Sequence, residues 1–112
     1  MNPAFVDAWR QQIDWCDRGG SPVTARVLEA ALGDWLAGGT ARELIPDWNG
    51  DPWSDAVSLR VAGALHSLVL DGSDPELAAQ YPPLATGFDP VAGPAAVRRA
   101  LIVHRERIAE YL

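Results

Sequence analysis

The sequence predicts an all-α fold: a compact helical bundle of four main helices plus two short helices, with no sheet. Three observations predict it. Apolar residues recur at spacings of three and four along most of the chain, and no stretch alternates convincingly with period two. Proline and N-cap residues open each periodic stretch, and glycines or prolines close it. The 112 residues are 48% hydrophobic and 21% charged, the balance of one folded domain and not of a disordered tail.

The elements follow in order. Asn2-Pro3 gives an N-cap and a proline at the first helical position, and Phe5, Trp9, Ile13 and Cys16 share the face of the helix that follows. Gly19-Gly20 ends it. Ser21-Pro22 opens a second helix with a wide apolar arc from Val23 to Leu36, stopped by Gly38-Gly39. Thr40-Ala41-Arg42-Glu43 has the capping-box pattern for a short helix that ends at Pro46. Asn49-Gly50 makes a turn, and Asp51-Pro52 starts a helix from Trp53 to Leu70. That helix is apolar nearly all round, which places it in the middle of the bundle. Gly72 ends it. Ser73-Asp74-Pro75-Glu76 caps a second short helix, terminated by Pro82-Pro83 after Tyr81. A loop from Leu84 to Asp89 leads to the last helix, from Pro94 to the end, with Val97, Leu101, His104, Ile108 and Leu112 as its stripe. Val57, Val61, Leu65, Leu68, Trp9, Ile13, Val27 and Leu101 are the expected core.

Charge narrows the function classes. Fifteen acids oppose nine arginines, with no lysine, for a net −6. Such a surface repels phosphate backbones, so nucleic acid is not an expected partner. No apolar run reaches the ~18 to 20 residues of a membrane helix, and the N-terminus lacks the basic and apolar regions of a signal peptide. One cysteine, Cys16, excludes an intrachain disulfide and fits a reducing cytoplasm. Residues 90–112 hold four arginines against two glutamates; the rest holds thirteen acids against five arginines. That segment is expected to be a solvated face or to complement the acidic remainder of its own protein.

The stretch Trp48-Asn-Gly-Asp-Pro-Trp-Ser-Asp-Ala-Val-Ser-Leu-Arg-Val-Ala-Gly-Ala-Leu-His-Ser-Leu-Val-Leu-Asp-Gly, followed by Asp74-Pro75-Glu76-Leu77 and Tyr81-Pro82, resembles the N-terminal part of a bacterial family catalogued as domain of unknown function 2332. Trp9-Arg10-Gln11-Gln12, Trp15-Cys16 and Ser21-Pro22 fit the same family's opening. The resemblance covers nearly the whole chain. It implies a longer parent protein whose later half carries a Gly-rich segment similar to the nucleotide loop of S-adenosylmethionine-dependent methyltransferases. No Gly-x-Gly-x-x-Gly follows a strand here, so no cofactor is expected on these residues.

Four residues are candidates for function. His66 lies on the less apolar side of the central helix, where it is either a proton shuttle or ligand for a site, or a half-buried histidine bonded to a backbone carbonyl. Arg60 lies in an apolar segment and, if buried, needs a carboxylate; Asp47, Asp51 and Asp55 lie upstream. A pair of Arg60 with one of them would pin the loop from Trp48 to Trp53. Asp55 and Trp48 complete this set. Ala56, Gly63 and Ser67 form a small-residue row that suits close approach of another helix. Ile102 and Val103 lie off the last helix's stripe and, with Trp15, are the candidate interface. One cysteine and two separated histidines give no zinc pattern, and no metal is expected.

The leading expectation is a helical domain at the N-terminal part of a longer protein, serving as an accessory or lid for a methyltransferase-like remainder. Its partner would be that C-terminal part. The rival is a protein–protein interaction or homodimerisation module without catalytic activity. An independent enzyme is the weakest reading, because no nucleophile–base pair or metal set appears.

Overall fold

The computed structural model describes residues 3–48, 50–82 and 87–112. These residues form seven helices: α1 (Pro3–Arg18), α2 (Pro22–Leu36), α3 (Thr40–Leu44), α4 (Val57–Leu70), α5 (Pro75–Ala78), α6 (Ala92–Val103) and α7 (Arg105–Ala109). No strand occurs among the described residues. The four long helices stand where the periodicity places them. The N-cap at Asn2, the Asn49 of the Asn-Gly turn, and the stretch from Pro83 into the loop after Leu84 lie outside the described residues. None of the helices is long and apolar enough to cross a membrane.

The core is shared by α2 and α4. Helix α2 packs on α1, α3, α4 and α6, while α4 packs on α1, α2, α5 and α7. Trp9, Val27, Val57, Val61, Leu65, Leu68 and Leu101 are buried as expected; Ile13 is only partly buried and packs against the same cluster. Helix α4 is not apolar all round in place. Leu59 and Arg60 are exposed, and Leu70 keeps 87% of its surface in water. Its buried face instead includes Ala62 and Ala64, small residues that let α4 approach its neighbours.

Three boundaries differ from the sequence reading, each because of a local contact. Asp51–Ala56 is a turn and α4 begins at Val57, since Ala56 takes the left-handed φ of 50° and breaks the helical run. That conformation costs a non-glycine residue roughly 1 kcal/mol, a local cost that α4's burial offsets. Thr40 is the first residue of α3 and not its cap. The donor at Ala41 N is satisfied from the end of α2, by Asp34 Oδ2 at 2.8 Å. A Cβ at Gly39 would meet the Asp34 carboxylate, which would have to shift off the Ala41 N–H to make room. Helix α6 begins at Ala92, before Pro94, because Asp89 Oδ1 accepts from Val91 N at 2.8 Å and Ala92 N at 2.7 Å.

The last helix is also interrupted. His104 (φ −109°, ψ 25°) closes α6 and opens α7, donating its N–H to Ala100 O and accepting from Ile108 N. The arginines that make this end basic are largely paired within the chain. Arg99 meets Glu76 at 2.7 Å and Arg105 meets Glu43 at 3.1 Å. Arg107 pairs with Asp71 and also donates to the hydroxyls of Ser73 and Ser67. The local basicity therefore complements the acidic remainder, stitching α6 and α7 onto α3, α4 and α5.

Candidate functional site

The five tryptophans divide by where their indole N–H goes. Trp9 donates to Leu28 O at 2.9 Å and ties α1 to α2. Trp35 donates to Ile45 O at 2.9 Å and fixes the exit from α3. Trp48 donates to Asp55 Oδ2 at 2.8 Å and closes the segment between α3 and α4. A buried indole N–H needs such a partner. Trp15 and Trp53 behave differently. They keep 51% and 42% of their surface exposed and pack on each other, with ring centroids 5.5 Å apart.

Three of the four candidate residues come together where the segment before α4 meets the first turn of that helix. Asp51 folds its turn by accepting from Trp53 N at 2.9 Å and Ser54 Oγ at 3.1 Å. This places Asp55 beneath Trp48. Gly50 lies so close to the Asp55 carboxylate that a Cβ would collide with it. Arg60 then reaches back along α4. Its Nε donates to the Asp55 carbonyl at 2.8 Å, and its guanidinium carbon lies 5.8 Å from the centre of the Trp48 ring. The expected buried ion pair is corrected here: Arg60 is exposed and binds the backbone of Asp55, not a carboxylate. The segment is pinned, but through a carbonyl and an aromatic face. Gly63 is corrected as well. A Cβ at that position would meet open space, so no helix approaches there.

Next to this cluster lies a cleft of about 310 Å³. Phe5 of α1, Trp35 of α2, Arg42 of α3 and Trp48 wall it, with Asp47 on its lining. Arg42 stacks on Trp35, its guanidinium carbon 4.0 Å from the ring centroid. Phe5 backs the same ring at 4.9 Å. Arg42 escaped the sequence reading because it counted only as a filler of the capping pattern. The available signal was its place just past a Gly-Gly turn from Trp35, a spacing that folds one onto the other.

His66 stands apart from that cluster. It lines a second cleft of about 420 Å³, between the start of α2 and Tyr81, together with Val23, Val69 and Leu70. The two rings meet edge to face at 5.3 Å. Among the described residues neither His66 Nε2 nor Tyr81 Oη has a hydrogen-bond partner, although both atoms are buried. Burial pushes the His66 imidazole below the usual histidine range and the Tyr81 phenol above its own. Both groups are therefore neutral at pH 7, and the expected carbonyl partner is missing at Nε2.

The candidate interface residues are exposed. Ile102 and Val103 each keep 57% of their surface in water, on α6 before the His104 break. They lie on a different element from the Trp15–Trp53 pair on α1 and the turn before α4. Cys16 is a partly buried free thiol against the core.

A family model described as an uncharacterized protein conserved in bacteria (DUF2332) matches residues 6–112. No curated protein and no solved structure matches the chain.

Proposed function

From the chain's membership of this uncharacterized bacterial family, DUF2332, to which it belongs over nearly all its length, we propose that the helical unit is a non-catalytic docking domain. Its partner is the methyltransferase-like segment that the resemblance implies for longer members, which it covers as an accessory or lid. The observation that carries this reading is the Trp15–Trp53 pair. Two large aromatics left about half exposed and packed on each other at a tilt are preassembled for burial by a partner. In the same chain the other three indoles are held by hydrogen bonds within the fold.

The test is sedimentation velocity of this domain mixed with the separately expressed later half of a longer family member. A one-to-one complex that is lost in the Trp15→Ser/Trp53→Ser double variant supports the proposal. Absence of a complex at tens of micromolar overturns it. A second reading rests on Ile102 and Val103, two adjacent exposed aliphatics on α6. They favour a homodimer, which the domain alone would reveal as concentration-dependent sedimentation that Ile102→Ser/Val103→Ser abolishes.

A further inference from the structure

One face of α4 has no partner within the chain. Ala56, Leu59, Gly63, His66 and Leu70 recur at spacings of three and four, the seam positions of a helix pair. Leu59 keeps 43% of its surface in water and Leu70 87%, and a Cβ on Gly63 would meet nothing within 4 Å. That glycine weakens α4 relative to alanine, and no contact within the chain offsets the loss. The two ends of the face are unlike. Before the N-terminal end stand Trp53 and, packed on it, Trp15, both about half exposed. At the C-terminal end lies the cleft of about 420 Å³ lined by His66, Val69 and Leu70 of α4, Val23 of α2 and Tyr81. One end presents aromatic surface, and the other offers a hollow with room for an aromatic side chain.

Charge marks the same face. The chain carries fifteen acids, yet none lies between Asp55 and Asp71. The one charged side chain in that span, Arg60, is turned back onto the Asp55 carbonyl, and no residue lining the cleft is charged at pH 7. Two copies of a chain of net charge −6 repel each other over most of their surfaces, and this face is spared that repulsion. We infer that it pairs with the same face of a second copy, the two α4 helices running antiparallel about a two-fold axis at Gly63. The inference rests on the reading of Trp15–Trp53 as a docking surface and names what covers it when this chain is alone. Such an axis sets Ala56 opposite Leu70 of the other copy, small against large, and Leu59 opposite His66. It also carries the tryptophan end of each copy to the hollow end of the other. Gly63 meets its own equivalent at the axis, where absence of a side chain lets the backbones come closest. A parallel pair would instead set tryptophans on tryptophans and hollow on hollow. The exposed parts of Trp15, Trp53, Leu59 and Leu70 come to roughly 500 Å² per copy. The pair then buries about 1,000 Å², the lower end for a specific interface and the size of a weak one.

Sedimentation velocity of this chain alone at neutral pH, from about 1 to 500 μM, tests the pairing. The expected result is a monomer–dimer equilibrium with a Kd of about 10 to 200 μM. Gly63→Glu, which sets two carboxylates against each other at the axis, should weaken it at least tenfold. Leu70→Ser should weaken it as well, and guards against a Glu variant that fails to fold, because that side chain is covered by nothing in its own chain. Ile102→Ser/Val103→Ser should leave it unchanged. In a Cys16→Ala background, oxidation should cross-link Gly63→Cys to itself but not Leu70→Cys, whose two positions an antiparallel pair holds roughly 20 Å apart along the helices. A chain monomeric throughout that range, a Kd indifferent to both α4 substitutions, or cross-linking of Leu70→Cys in place of Gly63→Cys would each overturn the inference. A monomeric chain that still forms the one-to-one complex with the later half sinks this pairing alone. A dimer without that complex sinks only the docking to the later half.

Discussion

His104 Nε2 lies 3.2 Å from Asp74 Oδ2, a carboxylate that is only 3% exposed. The other oxygen, Oδ1, caps α5 by accepting from Leu77 N at 3.0 Å. The distance to His104 is that of an ion pair, but the angle falls outside hydrogen-bond geometry, so Oδ2 has no aligned donor. The contact therefore works by proximity of charge and dipole. It joins the break between α6 and α7 to the start of α5. Replacing His104 with alanine leaves a buried carboxylate oxygen without a neighbour and should cost about 1 to 3 kcal/mol. His104→Gln, which keeps a donor, should cost less. Urea melts of the two variants check this, and an alanine variant with the wild-type midpoint would show that water reaches Oδ2.

His66 makes a prediction in pH. Burial holds its folded value below the ordinary 6.5, so the unfolded chain binds the proton more readily. As pH falls below about 6.5, protons favour the unfolded state until the folded value is also passed. Stability contributed by the neutral imidazole is thus full at pH 7 and above, and declines across that acid window. His66→Gln has no such titration. The difference in unfolding free energy between wild type and variant, measured from pH 8 to pH 5, should shift against wild type as pH falls. A difference independent of pH would mean that His66 is as well solvated in the fold as outside it.

The helices were legible because their signals are local. Pro22 and Pro75 sit at the first helical positions, Asp74 caps its own helix, and Gly38 and Gly72 take φ of 77° just past α2 and α4. What was illegible was set by contacts distant in sequence or by strain. Asp34 caps a helix seven residues on, across a Gly-Gly turn, and so displaced Thr40 from that role. Ala56 adopts a left-handed conformation that nothing in its identity announces. The candidate site was half legible for the same reason. Trp48, Asp55 and Arg60 lie close in sequence and meet in the fold, but Arg60 bonds the Asp55 carbonyl and not one of the carboxylates of Asp47, Asp51 or Asp55. Arg42 owes its importance to Trp35 and Phe5 on other helices, and only the fold brings them together.

The new placement of Arg60 changes what its removal should do. A buried pair would lose ~3 kcal/mol or more when one partner is deleted. An exposed side chain donating to one carbonyl should lose about 1 kcal/mol or less. Arg60→Met should therefore melt within about 1 kcal/mol of wild type in urea, its methylene stem replaced by a chain of similar length. A loss near 3 kcal/mol would mean that the guanidinium carries the Trp48 segment more firmly than one hydrogen bond can.

Two glycines within helices should respond in opposite directions to the same change. Gly63 lies in the middle of α4, and a Cβ there would meet nothing within 4 Å. Alanine removes the excess backbone freedom of the unfolded chain without a clash, so Gly63→Ala should stabilise by ~0.5 to 1 kcal/mol. Gly93 lies near the start of α6 with the Phe88 ring occupying the place of a side chain. Gly93→Ala must push that ring off its seat, and overpacking of this kind costs about 1 to 3 kcal/mol. Thermal melts at low concentration measure both. If Gly63→Ala failed to stabilise the isolated domain, the space beside α4 would be filled in solution. A rise in the variant's stability relative to wild type on dilution would then identify a second copy of the chain as what fills it.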